Sequence, residues 1–257
     1  MKVDIGQNRE WFVREIGMLK LTRPDGTLIT IYEDWTRPKK AYHWKDGRSA
    51  KELAKAWFRQ GYLSPPDELM VLLHSEKRFH DLLLICGIPE HVTPLPVKGE
   101  GRNHDLWLHG EAPCESVTVC IEAKADEPFG TYSIDGQRQA AIKRNKESRV
   151  PQRIDALLAM VSKPNVKCAW DKVRYQLLTA ICGTALQAKK DQSTVAVLVI
   201  HEFHTQSTKA KKLKANDDAF QDFLSVLGYP LKSREAPHLY GPFIVDGVDC
   251  FVGKIIV

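Results

Sequence analysis

Three features of the 257-residue sequence point to an α/β fold with a sheet covered on both faces. Residues 103–108 and 117–124 alternate β-branched and aromatic residues with others at a period of two, the mark of strands. Residues 194–200 form a continuous apolar run, as expected of a strand covered on both faces. Between these, Val173, Leu177, Ala180, Ile181, Thr184 and Ala188 recur at spacings of three and four, the stripe of a buried helix.

The chain length suits one large domain, or a core with an extension. The division expected is an N-terminal, mostly helical extension over residues 1–65, a β-hairpin plus a helix, packed on an α/β core over 66–257. A hydrophobic content of 43% fits a soluble globular protein, and no apolar run approaches the ~18 residues of a membrane span, so no membrane partner is expected. Residues 1–6 lack an apolar signal core, which makes a cytoplasmic protein the expectation. The cysteines Cys86, Cys114, Cys120, Cys168, Cys182 and Cys250 have neither C-x-x-C pairing nor zinc-like spacing, and read as free, buried thiols in a reducing compartment. His74, His80, His91 and His104 are too scattered for a zinc site.

Residues 18–21 and 27–32 flank the turn sequence Arg23-Pro24-Asp25-Gly26, which predicts a hairpin. Ser49 is placed to cap a helix, with Glu52 completing a capping box, and the apolar face of Leu53, Ala54, Ala56, Trp57 and Phe58 carries that helix to Gly61. A second helix opens after Ser64-Pro65-Pro66 and continues or restarts through 79–85, stopping at Gly87. From Val92 to Val97 the chain reads as extended, and the glycines of the loop 98–103 permit a sharp turn. Residues 131–150 are polar and basic and read as an exposed helix or a mobile segment. A short helix follows over 154–160 and a longer one from about Trp170 to Ala188. Asn216 or Asp217 is expected to cap a last helix bearing Phe220, Phe223, Leu224 and Leu227 and ended by Gly228-Tyr229-Pro230. Two extended pieces, 242–245 and 249–257, close the chain.

The chemistry lies in the second of the two alternating strands. Val117, Val119, Ile121 and Ala123 share one face, and Thr118, Cys120, Glu122 and Lys124 the other. Asp105 reaches the same place if the two strands pair as a hairpin. Two carboxylates with a lysine suit a hard divalent cation, Mg2+ or Mn2+, which keeps several waters and binds phosphate oxygens. Glu-x-Lys alone is a common triplet, and an exposed ion pair on an edge strand is its plainer reading. Residues 138–214 carry 16 Lys and Arg against 5 Asp and Glu, a local net charge of +11 that leaves −6 for the rest of a chain whose total is +5. A basic half beside an acidic site suits a protein that holds a phosphate backbone near metal, although lysines also simply solvate helices.

The D…E-x-K arrangement resembles the PD-(D/E)XK nuclease superfamily, with His104 where a proline usually precedes the aspartate. The order helix, strand, Asp strand, Glu-x-Lys strand, helix, strand is also that of its core. Further segments, among them Asp34-Trp35, His43-Trp44-Lys45-Asp46-Gly47-Arg48-Ser49-Ala50, Ile88-Pro89-Glu90-His91, Pro94-Leu95-Pro96, Glu122-Ala123-Lys124 through Gly130, Arg174-Tyr175-Gln176-Leu177-Leu178 and Val199-Ile200-His201-Glu202-Phe203, resemble an uncharacterised bacterial family grouped with that superfamily. The resemblance implies a restriction endonuclease-like fold, a central mixed sheet flanked by helices, and a metal-dependent DNA phosphodiesterase. Asp105, Glu122 and the carbonyl of Ala123 would hold the metal, and Lys124 would be the catalytic lysine, with Gln176 matching a glutamine or basic position on the following helix. Glu76, Glu90 and Glu100 are open alternatives for a third acid. Arg102, Lys143, Arg144 and Arg174 are the candidates for holding nucleic acid. Residues 209–214 read as a solvated loop. A homodimer is consistent with the resemblance, because many such nucleases cut two strands as dimers. The competing reading is a nuclease-like fold that binds nucleic acid or protein without cutting.

Overall fold

The structure, a computed structural model, describes residues 19–38, 41–161, 167–206, 208–229 and 237–257, with the backbone alone at 41, 167 and 168. The expectations for residues 1–18 and for Pro230 therefore lie outside the described residues, as does the Cys168 side chain.

Strands β1 (Lys20–Thr22) and β2 (Leu28–Ile29) form the expected N-terminal hairpin. After helices α1 (Ser49–Trp57) and α2 (Asp67–His74), the chain builds an antiparallel meander of β3 (Leu83–Thr93), β4 (Arg102–Ala112) and β5 (Glu115–Lys124). Helices α3 (Ile134–Arg144), α4 (Val150–Val161), α5 (Lys167–Trp170) and α6 (Tyr175–Asp191) then cross over to β6 (Val195–Glu202), which lies parallel to β5. Helix α7 (Ala210–Val226) and strands β7 (Leu239–Val245) and β8 (Val248–Ile256) follow. The result is an eight-stranded mixed sheet in the order β2-β1-β3-β4-β5-β6-β8-β7. The N-terminal hairpin belongs to this sheet, because β1 pairs in parallel with β3.

The alternation in β5 and β6 sorts side chains onto two cores. Val117, Val119, Ile121, Val195, Val197 and Val199 pack under α1 and α2, against Leu53, Trp57, Leu69 and Leu72. Ala196, Leu198 and Ile200 face the other way, into Leu177, Ile181, Phe220 and Phe223. Each strand is buried on both sides, which is why β6 carries no alternation of polarity. No helix among the described residues is long and apolar enough to cross a membrane. Cys86, Cys114, Cys120, Cys182 and Cys250 are free thiols, but against expectation Cys114 is exposed, in the turn between β4 and β5, and Cys86 is half-buried.

Several local expectations are corrected. The stretch from Leu83 to Gly87 is strand, not helix. Gly87 allows it, since a Cβ there would sit 2.6 Å from both Leu108 Cδ2 and the Trp107 carbonyl, so only a glycine lets β3 lie this close to its neighbour. The extended stretch ends at Thr93 and not at Val97. The first helix is capped by Arg48 and ends at Trp57, short of Gly61. Glu52 Oε1 accepts from the Gly47 N–H at 2.8 Å, and Ser49 is the first helical residue, so no capping box forms. The helix expected from about Trp170 to Ala188 begins at Tyr175, separated from the short α5 by a break at 171–174, and extends to Asp191. Residues 131–150 do hold the exposed helix that was one of the two expectations there, α3, with only Ile134 and Ala141 buried. Helix α7 begins at Ala210, so the basic run 209–214 is its first turns and Asn216 lies inside it. Asn216 is buried and spends its amide on the Glu127 carbonyl, at 3.2 Å, instead of on a helix terminus.

Candidate functional site

The hairpin register that sets Leu106 opposite Ile121 brings Asp105 level with Glu122. Glu90, opposite Asp105 in β3, sits at φ 56°, a left-handed conformation that a glutamate adopts only under constraint. Asp105 turns its carboxylate onto the backbone of β5, where Oδ2 accepts from the Ala123 N–H at 2.7 Å. The alternation of β4 slips here. Leu106 and Leu108 lie in the core under α1 and α2, whereas Arg102 and His104, at the same parity, lie against Gly183 of α6 on the opposite face. Arg102 thereby arrives beside Glu122.

Glu122 is the centre of the site, its side chain only 3% exposed. Oε1 accepts from Lys124 Nζ at 2.5 Å and from Gln176 Nε2 at 2.6 Å, and Oε2 pairs with Arg102 Nη2. Lys124 is also buried, with Nζ 5.5 Å from the centre of the Phe129 ring. Burial pushes its ammonium below the ordinary lysine range, opposed by the charges of Asp105, Glu127 and Glu202 and reinforced by Arg102. Burial, and then the Arg102 charge, holds the His104 imidazole well below its usual value and so neutral. Three buried atoms here have no partner: Arg102 Nε, His104 Nε2 and Gln176 Oε1.

These groups line an open cleft of about 370 Å3, into which Arg102, Asp105, Glu122, Ala123, Lys124 and Gln176 all face. Glu100 lines it as well; Glu76 and Glu90 do not. Glu76 caps a three-ten turn at Lys77–Phe79, and Glu90 accepts from Asn103 Nδ2 at 2.6 Å. Arg174 caps α6 and donates to the Thr131 carbonyl at 3.2 Å, outside the cleft. Lys143 and Arg144 are exposed at the end of α3 and also lie outside it.

Sequence reasoning missed three contributors. Arg153 on α4 donates to the carbonyls of Pro96, Val97 and Glu100 at 3.2, 2.8 and 2.7 Å, clamping the loop that forms one wall. Ser49 lines the cleft from the start of α1 and bonds Glu127, whose carboxyl burial raises above its ordinary range. Glu202 lies beside Lys124 across the β5–β6 register and pairs with Lys254 at 2.6 Å. A buried acid after a Glu-x-Lys strand and an arginine on a flanking helix are visible in the sequence, but nothing local marks them as neighbours.

Chemically, the site offers oxygen donors of the kind a hard cation takes, surrounded by cations that neutralise them. Among the described residues, no group of three or more His, Cys, Asp or Glu side chains is arranged to hold a metal ion. No curated protein and no solved structure matches the sequence significantly. The profile of one family, a domain of unknown function (DUF6946), matches residues 29–256, from β2 to the end of β8, and the chain belongs to that family.

Proposed function

We propose that the cleft is a divalent-cation-dependent phosphodiesterase centre acting on DNA, built on a restriction endonuclease-like core. The observation that carries this reading is the convergence of Asp105, Glu122, Lys124 and Gln176 on one open cleft at the end of β4 and β5. The succession α2, β3, β4, β5, α6, β6, with β5 and β6 parallel, follows the order the resemblance implies and supports the same reading.

Mg2+ or Mn2+ fits the donor set. Asp105 and Glu122 supply carboxylates, Ala123 a carbonyl, and the partnerless Gln176 Oε1 a further oxygen, with no nitrogen or sulfur donor among them. When bound, the cation supplies charge neutralisation at the phosphate and a more acidic water. Lys124 does the rest from Nζ. Its lowered proton affinity lets it give a proton to a leaving oxygen or orient the attacking water, at a point where Glu122 fixes its direction. Gln176 holds Glu122 from the helix side.

The test is incubation of the purified protein with linear and circular DNA in Mg2+ or Mn2+, and in chelator. Metal-dependent cleavage that falls at least about a hundredfold in Asp105→Ala and Lys124→Ala is expected, the scale of a lost acid–base or charge-stabilising group. A second reading, a nucleic-acid-binding module that does not cut, is favoured by one feature: both Glu122 oxygens are already engaged by Arg102, Lys124 and Gln176. Salt-sensitive DNA binding without metal-dependent cleavage would select it.

A further inference from the structure

The site is charge-balanced as it stands: the carboxylates of Asp105 and Glu122 meet the cations of Arg102 and Lys124. We propose that Arg102 is a built-in counter-ion that a divalent cation must displace from Glu122, and hence the residue that sets how much metal the site requires. This rests on the metal-dependent reading above.

Lys124 and Gln176 both engage Glu122 Oε1, while Arg102 takes Oε2, so removing one group frees one whole carboxylate oxygen. Arg102 is held differently from a structural arginine. Arg153 fixes three carbonyls of one loop, whereas Arg102, with its side chain 10% exposed, leaves Nε buried and unpartnered. A guanidinium with an unmet donor in a buried site is easier to detach than one fully bonded.

The space Arg102 occupies is made by Gly183, inside α6. A Cβ on Gly183 would lie 2.8 Å from Arg102 Cγ, 2.9 Å from Arg102 Cβ and 3.2 Å from His104 Cε1. Glycine in a helix interior disfavours the helix relative to alanine, and here the missing methyl is what lets the arginine reach the carboxylate. The neighbouring His104 leaves its Nε2 buried and without a partner. In the tautomer protonated on Nδ1, that nitrogen accepts a hydrogen bond from a guanidinium that has left Glu122.

The experiment is calorimetric titration with Mn2+ of wild type, Arg102→Gln and Gly183→Ala, each checked for fold by circular dichroism. Arg102→Gln is expected to bind Mn2+ at least tenfold more tightly. Gly183→Ala keeps the arginine's charge but crowds its stem, and is expected to bind severalfold more tightly. Tightening confined to Arg102→Gln would mean that charge alone is at work and would overturn displacement. Unchanged or weaker binding in both folded variants overturns it too, and if Arg102→Gln does not fold, Gly183→Ala decides by the same criterion. Mn2+ binding that is lost in Asp105→Ala yet unaltered in the two variants defeats this inference alone. No Mn2+ binding in any form defeats the metal-dependent reading with it.

Discussion

Asp105 carries a structural duty as well as a chemical one, because its carboxylate accepts the N–H of Ala123, a residue with no exposed surface. Asp105→Ala leaves that donor buried and unpaired, which costs about 1–3 kcal/mol. Asp105→Asn retains an accepting oxygen and should lie within about 0.5 kcal/mol of wild type while still removing the charge a cation needs. Urea midpoints of the two variants test this. Equal destabilisation would show that the hydrogen bond carries no weight.

Histidines make a second residue-scale prediction. His104 and His201 are buried and their pKa values lie below the ordinary 6.5, chiefly through desolvation. The unfolded chain takes up these protons near pH 6.5 and the folded chain only at lower pH, so between the two values the unfolded form binds more protons. Stability is therefore full above about pH 6.5 and lost as pH falls through that value towards the folded pKa. The melting temperature should drop between pH 7 and pH 5, and His201→Leu should make the drop shallower. A pH-independent melting temperature in wild type would contradict the assignment. At this scale the sequence made Glu122 and Lys124 legible, because period-two alternation set them on one face. Arg102 was not legible as their partner, since the same alternation is broken at Asp105, opposite the left-handed Glu90.

Elements were readable where one period dominated. The stripe of α6 and the apolar run of β6 leave little choice, and both are buried as expected. Strand β3 was misread because Leu82, Leu83, Leu84 and Ile85 suit a helix equally well, and what decides is tertiary: β1 and β4 pair with it on either side. Gly87 is the hinge of that outcome. Gly87→Ala should destabilise by about 1–3 kcal/mol through overpacking against Leu108 and the Trp107 carbonyl, read as a lower denaturation midpoint. No change would mean that β3 has room to shift. The loop over 96–101 depends on Arg153, to which Gly99 at φ 152° is pressed so closely that a Cβ would lie 2.5 Å from Nη2. Arg153→Ala should open this loop to limited proteolysis while the melting temperature falls only slightly. Protection equal to wild type would show that the loop is held by something else.

For the molecule as a whole, the sheet explains both the cores and the site. Its meander of β3, β4 and β5 brings Asp105 to Glu122, and the crossover through α6 to β6 lays Gln176 on the same carboxylate. The α/β class was legible from the sequence because it rests on local patterns. The closure of the sheet by β8 between β6 and β7 was not, because it rests on pairings between residues far apart in the chain. Part of the basic half identified by composition is engaged internally: Arg138 with Asp155, Lys189 with Asp246, Lys212 with Asp126 and Lys214 with Asp218. Charge totals alone are thus a poor guide to where a phosphate backbone would lie, whereas the cleft is a definite location.

The most direct test of the central claim is DNA cleavage under single-turnover conditions in Mn2+ by wild type beside Lys124→Met. The variant removes the buried ammonium but leaves Asp105 and Glu122, so it should still bind Mn2+ and DNA while cleaving at least about a hundredfold more slowly. Cleavage at the wild-type rate in a folded Lys124→Met protein would contradict the claim that this cleft performs the chemistry.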